Sequence, residues 1–296
     1  LDAVSETEPI KRTGVVSRVQ GLLIESRGPQ ASVGELCRIN LKDNTESIIA
    51  EVIGLNGSTV QLMTYEDIQG VEIGCDVIAS GTMLSVPVGS VLLGRVVDSL
   101  GRAADGKQDP SSPLHSPILA PPPDPMERRP IKERIVTGIR AIDALLAVGR
   151  GQRIGIFAGS GIGKSTLMGM IARNTSADVN VIALIGERGR EVNDFLEHDL
   201  GPEGLKHSVV VTATSDTSPL ARIRGAYTAT AIAEYFRDQG KDVMLLFDSI
   251  TRFAKAQREI SLAIGEPPAT RGYTPSVFEV LPKLLERSGT SAKGSI

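Results

Sequence analysis

The stretch Ala158-Gly159-Ser160-Gly161-Ile162-Gly163-Lys164-Ser165-Thr166 decides the fold of this chain. It follows an apolar, strand-like segment and opens a helix-like one, which is the arrangement of a phosphate-binding P-loop. The glycines allow consecutive backbone N–H groups to converge on phosphate oxygens at a helix N-terminus, where the dipole also favours negative charge. We therefore predict that the residues of this stretch bind the phosphates of a nucleotide.

Two side chains of the loop have specific predicted roles. Lys164 is expected to reach the β- and γ-phosphates, and the hydroxyl of Ser165 is expected to ligate Mg²⁺. The strict pattern begins with glycine, whereas this chain has Ala158 there. That position is the least demanding one, because the backbone approaches phosphate later in the loop. A chance match of a glycine-rich turn is the alternative, and the flanking strand and helix argue against it.

The composition limits the class of protein. The 296 residues predict two domains, and the net charge of −3 gives no global attraction to nucleic acid or to an acidic membrane surface. No apolar run approaches the ~18 residues that a membrane span needs, so any membrane association is expected to be peripheral. Cys37 and Cys75 lie in apolar, strand-like surroundings without a CxxC pattern, which predicts buried, reduced thiols.

Residues 1–85 are predicted to form an N-terminal β-barrel-like domain. From residue 14 onwards, short β-type runs alternate with turn signals such as Gly28-Pro29 and Asn56-Gly57. Several short strands at close spacing are typical of a small antiparallel barrel or sandwich. Few aromatic residues and no basic cluster occur in it, so we interpret it as an assembly or packing module rather than an oligonucleotide-binding one.

Residues 86–296 are predicted to form an α/β domain. Strands are expected at residues 91–98, 152–157, 179–185, 209–214 and 242–248. One helix is expected to begin at Lys164, and a second to begin at Ser218, whose side chain can cap it. A third amphipathic stretch contains Pro282, which predicts a kink or an early break. Alternation of strands and helices is typical of a mainly parallel sheet with helices on both faces.

An acidic residue follows each of two buried strands. Asp248 ends an apolar strand, as a Walker B element requires, and is predicted to hold Mg²⁺ together with Ser165. The alternative is that Asp248 only caps the helix that follows. Glu187 comes just after the strand at 179–185, and ligands of open α/β sheets bind beyond the carboxyl ends of their strands. Glu187 is therefore placed to orient and polarise a water that attacks a γ-phosphate.

The neighbours of Glu187 are also charged. Arg188 can stabilise charge on the γ-phosphate oxygens. The alternative is a surface ion-pair cluster of Glu187, Arg188, Arg190 and Glu191. For Arg190 and Glu191 both interpretations stay open, whereas a charged turn beside a P-loop favours a chemical role for Glu187.

Several motifs in this order carry a resemblance to a known family. They are residues 137–143 (Thr-Gly-Ile-Arg-Ala-Ile-Asp), the P-loop, Gly186-Glu187-Arg188 and Phe247-Asp248-Ser249. The chain thereby resembles the catalytic subunits of rotary ATP synthases. It resembles more closely the ATPases of flagellar and other type III protein export, through residues 158–165, 185–192, 252–260 and 265–273. The resemblance is strong from about residue 92 to residue 289.

The resemblance implies a fold, a site and an activity. The fold would be a RecA-like P-loop ATPase core preceded by a small β-barrel, in a homohexameric ring that binds ATP and Mg²⁺ between neighbouring subunits. Lys164 would bind phosphate, Ser165 and Asp248 would serve Mg²⁺, and Glu187 would be the catalytic carboxylate with Arg188 as an auxiliary phosphate contact. The activity would be ATP hydrolysis in a bacterial type III export apparatus, and the flagellum-specific apparatus is the preferred assignment.

The resemblance also implies partners and a location. The hydrolysis would energise chaperone release, unfolding and delivery of export substrates. The expected partners are central-stalk and regulator proteins, complexes of substrates with chaperones, and a membrane export gate, but no nucleic acid. The location would be cytoplasmic and peripheral at the inner membrane. For the loop at 265–273 the resemblance suggests contact with a central stalk, and a plain connector is the alternative.

Members of this family continue beyond the position of Ile296, into parts that carry an arginine finger and an adenine contact. Arginine fingers contribute about 10³–10⁵ in rate, so this chain alone is expected to be a weak hydrolase at best. Two other functions stay open as alternatives. A ring-forming RNA helicase or terminator is disfavoured by the 3% aromatic content and the low isoelectric point, about 5.8. A non-catalytic nucleotide-binding subunit is disfavoured by Glu187.

Overall fold

The computed structural model describes residues 12–42, 46–159 and 161–296 of the chain. Ser160, which the sequence predicts in the phosphate-binding loop, lies outside the described residues. The chain forms two compact units. The first consists of Leu1–Leu84, Thr217–Ala221 and Glu259–Pro267, and the second of Ser85–Asp216, Arg222–Arg258 and Pro268–Ile296.

Six strands of the first unit close into an antiparallel barrel. They are β1 (Thr13–Gln20), β2 (Leu23–Arg27), β3 (Glu35–Asn40), β4 (Ser47–Asn56), β5 (Thr59–Thr64) and β6 (Asp76–Met83). Their order is β1-β2-β5-β4-β3-β6, and β1 also pairs with β6, which closes the barrel. Apolar side chains such as Ile24, Ile39 and Leu62 fill its interior. The predicted small β-barrel is confirmed.

Both cysteines belong to this barrel core. Cys37 and Cys75 are free and buried, as the sequence predicts. Burial raises the pKa of the Cys37 thiol to about 12, and the neighbouring Glu35 acts in the same direction. Since the thiolate is the reactive form, Cys37 is an inert part of the core.

A parallel sheet forms the centre of the second unit. Its strands are β8 (Arg95–Val97), β12 (Val179–Ile185), β13 (Ser208–Ala213) and β14 (Val243–Asp248), in the order β14-β12-β13-β8. All three pairings are parallel, so the predicted mainly parallel sheet is confirmed. Two short antiparallel pairs accompany it: β7 (Ser85–Pro87) with β9 (His115–Pro117), and β10 (Arg134–Ile135) with β11 (Val148–Gly149).

Six α-helices follow from the P-loop onwards. They are α1 (Lys164–Asn174), α2 (Gly189–Asp194), α3 (Gly201–Lys206), α4 (Pro219–Asp238), α5 (Ile250–Ala263) and α6 (Pro275–Glu286). A π-helical segment, Phe195–Leu200, connects α2 to α3. The hydroxyl of Ser218 accepts a hydrogen bond from the backbone N–H of Ala221 at 3.1 Å, which confirms the predicted cap of α4. No helix within the described ranges is long and apolar enough to cross a membrane.

The strand predicted at residues 152–157 is not part of the sheet. Residues 152–159 form neither helix nor strand, and the Phe157 side chain is 97% exposed. The free edge of β14 is instead approached by the C-terminal residues, since Val243 N donates to Ser295 O at 2.8 Å and Ser295 N donates to Lys241 O at 3.1 Å. This parallel contact occupies the start of that edge, and residues 152–157 pair with no strand among the described residues.

Two further predictions need correction. Of the strand predicted at 91–98, only Arg95–Val97 pairs, because Ser90–Leu92 forms a 3₁₀ turn and Gly94 takes a positive φ of 78°. Helix α6 runs through Pro282 without a break. Pro282 lacks the N–H that would bind the Phe278 carbonyl four residues earlier, and Phe278 is a 54% exposed residue, so the lost hydrogen bond lies on the solvent side of the helix.

The proline-rich connector, residues 120–130, contacts the C-terminal segment, residues 286–293, through two arginines. Arg128 donates to the backbone carbonyls of Glu286, Ser288 and Thr290, and Arg129 donates to those of Ser291 and Lys293. The hydroxyl of Thr290 donates back to the carbonyl of Arg129 at 2.7 Å. Side chains therefore bind most of the carbonyl groups in a segment that is largely neither helix nor strand.

Candidate active site

The carboxyl edge of the parallel sheet collects the predicted site residues. Leu184 of β12 pairs with Asp248 of β14, and Ile185 pairs with Ala213 of β13. Because these strands are parallel and in register, Asp248 and the turn at Glu187 lie at the same edge. Helix α1 begins at this edge too, since its first residue, Lys164, contacts Asp248.

Lys164 and Asp248 form a direct ion pair. The ammonium of Lys164 donates to Oδ1 of Asp248. The Asp248 side chain is 5% exposed and that of Lys164 is 29% exposed. A buried carboxylate needs a counter-ion to offset its loss of hydration, and Lys164 supplies it. The structure therefore brings these two predicted residues together.

The glycine-rich loop before α1 leaves free space beside its glycines. Gly163 is the N-cap of α1 and has a φ of 92°, a conformation that favours glycine. A Cβ added to Gly159, Gly161 or Gly163 would meet no atom of the described residues within 4 Å. The remaining described loop residues, Ala158, Ile162, Ser165 and Thr166, are exposed. Space and backbone conformation at this helix N-terminus thus suit a phosphate group.

Glu187 is held by its backbone. The preceding Gly186 has a φ of 74°, and its N–H donates to Ala213 O at 2.6 Å. The carbonyl of Glu187 accepts a hydrogen bond from Ser215 N at 2.9 Å. The end of β13 and the residues after it therefore fix the turn that carries Glu187. Its side chain is 14% exposed and contacts Arg252 at 3.0 Å.

The surroundings of Glu187 shift its acidity. Burial raises the pKa of Glu187 to about 7, helped by a hydrogen bond with Glu191 and the negative charge of Asp248, while Arg252 and Lys164 oppose the shift. The same hydrogen bond is the main cause that lowers the pKa of Glu191. A carboxyl group with a pKa near neutrality can accept a proton and release it again at neutral pH, as a general base must.

Arg252 also belongs to the site, although no sequence pattern predicted a role for it. It lies on the first turn of α5, and its Nη2 donates to Oε2 of Glu187 at 3.0 Å. Its stem packs against Gly186, where an added Cβ would lie 2.8 Å from the Arg252 Cδ. Its spacing could have indicated this role. Arg252 follows Asp248 by four residues, about one helical turn, so its side chain lies near the same edge of the sheet.

The other charged residues of the turn lie on the surface. The Arg188 side chain is 78% exposed and contacts Glu191 at 3.3 Å, and the Arg190 side chain is 91% exposed and contacts Asp194 at 3.7 Å. These contacts favour the ion-pair interpretation for Arg190. Exposed ion pairs contribute little free energy, so the Arg188 side chain can reorient at low cost. Its phosphate contact stays a prediction.

Ser165 and Asp248 offer the kind of oxygen ligands that Mg²⁺ prefers. Asp248 is buried and already holds a cation, the Lys164 ammonium, so its position suits positive charge. The described part of the chain contains no group of three or more His, Cys, Asp or Glu that could hold a metal by itself. This donor set fits Mg²⁺, which takes few protein ligands and completes its shell with water and substrate phosphates.

Two family models match the chain. The nucleotide-binding domain of the ATP synthase alpha/beta family matches residues 138–296, and the beta-barrel domain of the same family matches residues 16–81. The first match contains every predicted site residue, from the loop at 158–166 to Asp248. The second match coincides with most of the six-stranded barrel.

Named relatives agree with the family models. The chain is 69% identical to the flagellum-specific ATP synthase of Treponema pallidum, over 99% of this chain and 66% of that protein. It is 52% identical to the type 3 secretion system ATPase of Xanthomonas euvesicatoria, over 97% of this chain and 65% of that protein. The chain thus spans about two thirds of the length of these relatives.

A solved structure has the same fold. It is the assembled ATPase EscN in complex with its central stalk EscO, from the type III secretion system of enteropathogenic E. coli. The TM-score is 0.88 at 47% sequence identity, and the match covers 96% of this chain and 69% of the EscN chain. The likeness therefore includes both units.

Proposed function

The chain belongs to the ATP synthase alpha/beta family, and from this premise we propose that it is an ATP-hydrolysing subunit of a bacterial type III protein export apparatus. The flagellar apparatus is our first choice, because the relative with 69% identity is named a flagellum-specific ATP synthase. The single observation that carries hydrolysis is the placement of Glu187. It is a largely buried carboxyl group with a pKa of about 7, at the same sheet edge as the Lys164–Asp248 pair.

Each site residue then has a task in hydrolysis. Backbone N–H groups of residues 158–166 and the Lys164 ammonium bind the β- and γ-phosphates. Ser165 and Asp248 hold Mg²⁺, which when bound neutralises charge on the phosphate oxygens. Glu187 orients the attacking water and accepts its proton, and Arg252 holds the Glu187 carboxylate in place. Arg188 turns from Glu191 towards the γ-phosphate.

We further propose the assembly and the partners. The active form is a homohexameric ring with nucleotide between neighbouring subunits, and its partners are a central stalk, a regulator, substrate–chaperone complexes and a membrane export gate. The support for self-assembly and a stalk is the likeness to EscN, which was solved assembled and with its central stalk EscO. We place the protein in the cytoplasm, peripheral at the inner membrane. Hydrolysis there energises chaperone release, unfolding and delivery of export substrates.

The test of hydrolysis is the substitution Glu187→Gln in the protein that carries this chain. Losing a general base is expected to lower kcat about 10²–10⁴-fold, while ATP binding is kept. A matched control is Glu203→Gln, an exposed carboxylate on α3 that pairs with Lys206 in the same unit. Steady-state phosphate release and equilibrium ATP binding are the measurements. Unchanged kcat in Glu187→Gln would overturn the proposed hydrolysis.

A further inference from the structure

The hairpin turn between β4 and β5 of the barrel places an asparagine directly before a glycine. Asn56 is the last residue of β4 and pairs with Thr59, so Gly57 and Ser58 form the loop of the hairpin. Gly57 has a φ of 60°, a conformation that favours glycine. Asn56 and Gly57 are both exposed. The turn therefore presents a carboxamide to solvent beside a backbone N–H that no side chain of its own residue covers.

The two neighbouring groups of this turn are not held by other residues. Among the described residues, the Asn56 carboxamide makes no hydrogen bond, and the N–H of Gly57 donates to no acceptor. A Cβ added to Gly57 would meet no atom of the described residues within 4 Å. Nothing in the described part of the chain therefore blocks the approach of the Gly57 nitrogen to Cγ of Asn56.

The position of Asn56 in the ladder allows that approach. In the paired strand the Asn56 backbone is extended, and it must rotate before the Gly57 nitrogen reaches Cγ. The pair of Asn56 with Thr59 is the last one before the loop. Exposed ends of elements open locally at a small cost in free energy, whereas the core of the barrel does not. Opening this one pair is enough to bring the two groups together.

We propose that Asn56-Gly57 is a site of spontaneous covalent modification, at which the asparagine becomes aspartate and isoaspartate. The Gly57 nitrogen loses its proton and bonds to Cγ of Asn56, while Nδ2 takes up a proton and leaves as ammonia. Water then opens the resulting succinimide ring. Cleavage at Cγ gives aspartate, and cleavage at the main-chain carbonyl gives isoaspartate, in which the backbone runs through Cβ and Cγ.

A second residue that precedes a glycine is protected by its contacts. Asp105 is followed by Gly106, but its carboxylate accepts hydrogen bonds from Nε of Arg95 at 2.7 Å and from the N–H of Val96 at 3.4 Å. The hydrogen bond from Arg95 lowers the pKa of Asp105 to about 2, so its carboxyl group is ionised at neutral pH. An ionised and bound carboxylate does not accept attack by a backbone nitrogen. The structure thus distinguishes two sites that the sequence pattern makes similar.

The modification changes the hairpin. Isoaspartate adds a methylene group to the backbone of residue 56, where β4 makes its last pair with Thr59. The loop also contacts the residues after β2, because the carbonyl of Ser58 accepts a hydrogen bond from Gly28 N at 3.4 Å. A longer backbone displaces both contacts. The isoaspartate form is therefore expected to unfold at a lower urea concentration than the unmodified protein.

The experiment incubates the whole protein at mildly alkaline pH and follows the peptide that contains residue 56 by mass spectrometry. We expect the carboxylate form to accumulate, with isoaspartate among the products, and to form faster as pH rises because the attacking nitrogen must lose its proton. Asn193 is the control within the same molecule, since it is exposed but precedes Asp194 inside α2. Conversion at Asn56 is expected to be at least about tenfold faster than at Asn193.

Gly57→Ala is the matched variant, because its methyl group crowds the attacking nitrogen. Conversion of Asn56 is expected to be about tenfold slower in this variant. Equal rates at Asn56 and Asn193, equal rates in Gly57→Ala and wild type, or aspartate without isoaspartate would each overturn the inference. The comparison of the two asparagines needs no variant to fold. None of these measurements depends on ATP, so the inference and the proposed function can fail separately.

Discussion

The carboxyl group of Glu187 is 14% exposed and interacts with the guanidinium of Arg252 and with two other carboxyl groups, those of Glu191 and Asp248. Its acidity results from this crowding rather than from its place in the sequence. The tertiary structure supplies Asp248 from β14, Arg252 from α5 and Lys164 from α1. A residue that the sequence marks only by a glycine-flanked turn thereby acquires the properties of a base.

The raised pKa of Glu187 predicts a pH-dependent stability. Its folded-state pKa of about 7 lies above the ordinary glutamate pKa of 4.5. The stability that the protonated group contributes is therefore present below the lower value and is lost as pH rises through about 7. Glu187→Gln has no such loss, so its free energy of unfolding relative to wild type is expected to increase by about 1–3 kcal/mol between about pH 5 and pH 8.

Urea unfolding of both proteins at the two pH values measures this difference. The control is Glu203→Gln, because the pKa of Glu203 is lowered by Lys206 and not raised. A stability difference between Glu187→Gln and wild type that stays constant across this pH range would contradict the raised pKa of Glu187.

At the scale of the element, the position of α1 depends on the close packing of its backbone against the π-helical segment. Gly169 of α1 lies against the π-helical segment Phe195–Leu200, where an added Cβ would lie 2.4 Å from the carbonyl oxygen of Asp199. A backbone carbonyl cannot move away as a flexible side chain can. Glycine therefore sets the distance between α1 and this segment, and with it the place of Lys164 at the start of α1.

We predict that Gly169→Ala destabilises the protein and weakens nucleotide binding. Overpacking of this kind costs about 1–3 kcal/mol, and the shift of α1 displaces Lys164. The control is Gly189→Ala on α2, where an added Cβ meets nothing within 4 Å among the described residues. Denaturant unfolding and ATP affinity are the measurements. Equal stability of the two variants would show that α1 does not need the close approach.

The sequence predicts best those elements whose signals are local. The continuous apolar runs at β12 and β14 indicate buried parallel strands, and Ser218 followed by proline indicates a helix start. Residues 152–157 have the same apolar character but do not pair in the sheet. Pairing depends on which segment reaches a free edge, and the C-terminal residues that approach β14 are far away in the sequence.

The site shows the same division. Lys164, Glu187 and Asp248 were predicted because each stands at a recognisable junction of strand and helix or strand and turn. The contact of Arg252 with Glu187 joins residues 65 positions apart, and the contact of Lys164 with Asp248 joins residues 84 apart. No local pattern states which cation faces which carboxylate, because the register of the parallel strands decides it.

At the scale of the whole molecule, a buried ion pair ties distant segments of the second unit together. Arg287, just after α6, donates to both carboxylate oxygens of Glu234 on α4 and to the carbonyl of Ile118, which lies just before the connector. The Arg287 side chain is 3% exposed and that of Glu234 is 8% exposed. Charges so deeply buried are tolerated only when they are fully hydrogen-bonded.

We predict that removing either partner alone is costly. Glu234→Ala leaves the buried Arg287 guanidinium without its carboxylate and is expected to cost about 3–5 kcal/mol of unfolding free energy. Arg287→Ala leaves Glu234 with only the longer contact to Arg237, at 3.8 Å, and is expected to cost less than Glu234→Ala. The double variant Glu234→Leu/Arg287→Met replaces the pair by apolar volume and leaves Arg237 its contact with Asp238, so it is expected to cost less than Glu234→Ala alone. Thermal and denaturant unfolding of the set form a double-mutant cycle. Additive losses would show that the two side chains act independently.

The arginines of the proline-rich connector have a consequence for solubility. Backbone carbonyls outside regular secondary structure can recruit strands from other molecules, which is a route to aggregation. Arg128 and Arg129 bind five carbonyls between Glu286 and Lys293, and four of these lie beyond the end of α6. The prolines beside them lack the N–H that would extend a ladder. The connector thus covers carbonyl groups that could accept hydrogen bonds from another chain. Its prolines themselves present few N–H groups with which another chain could pair.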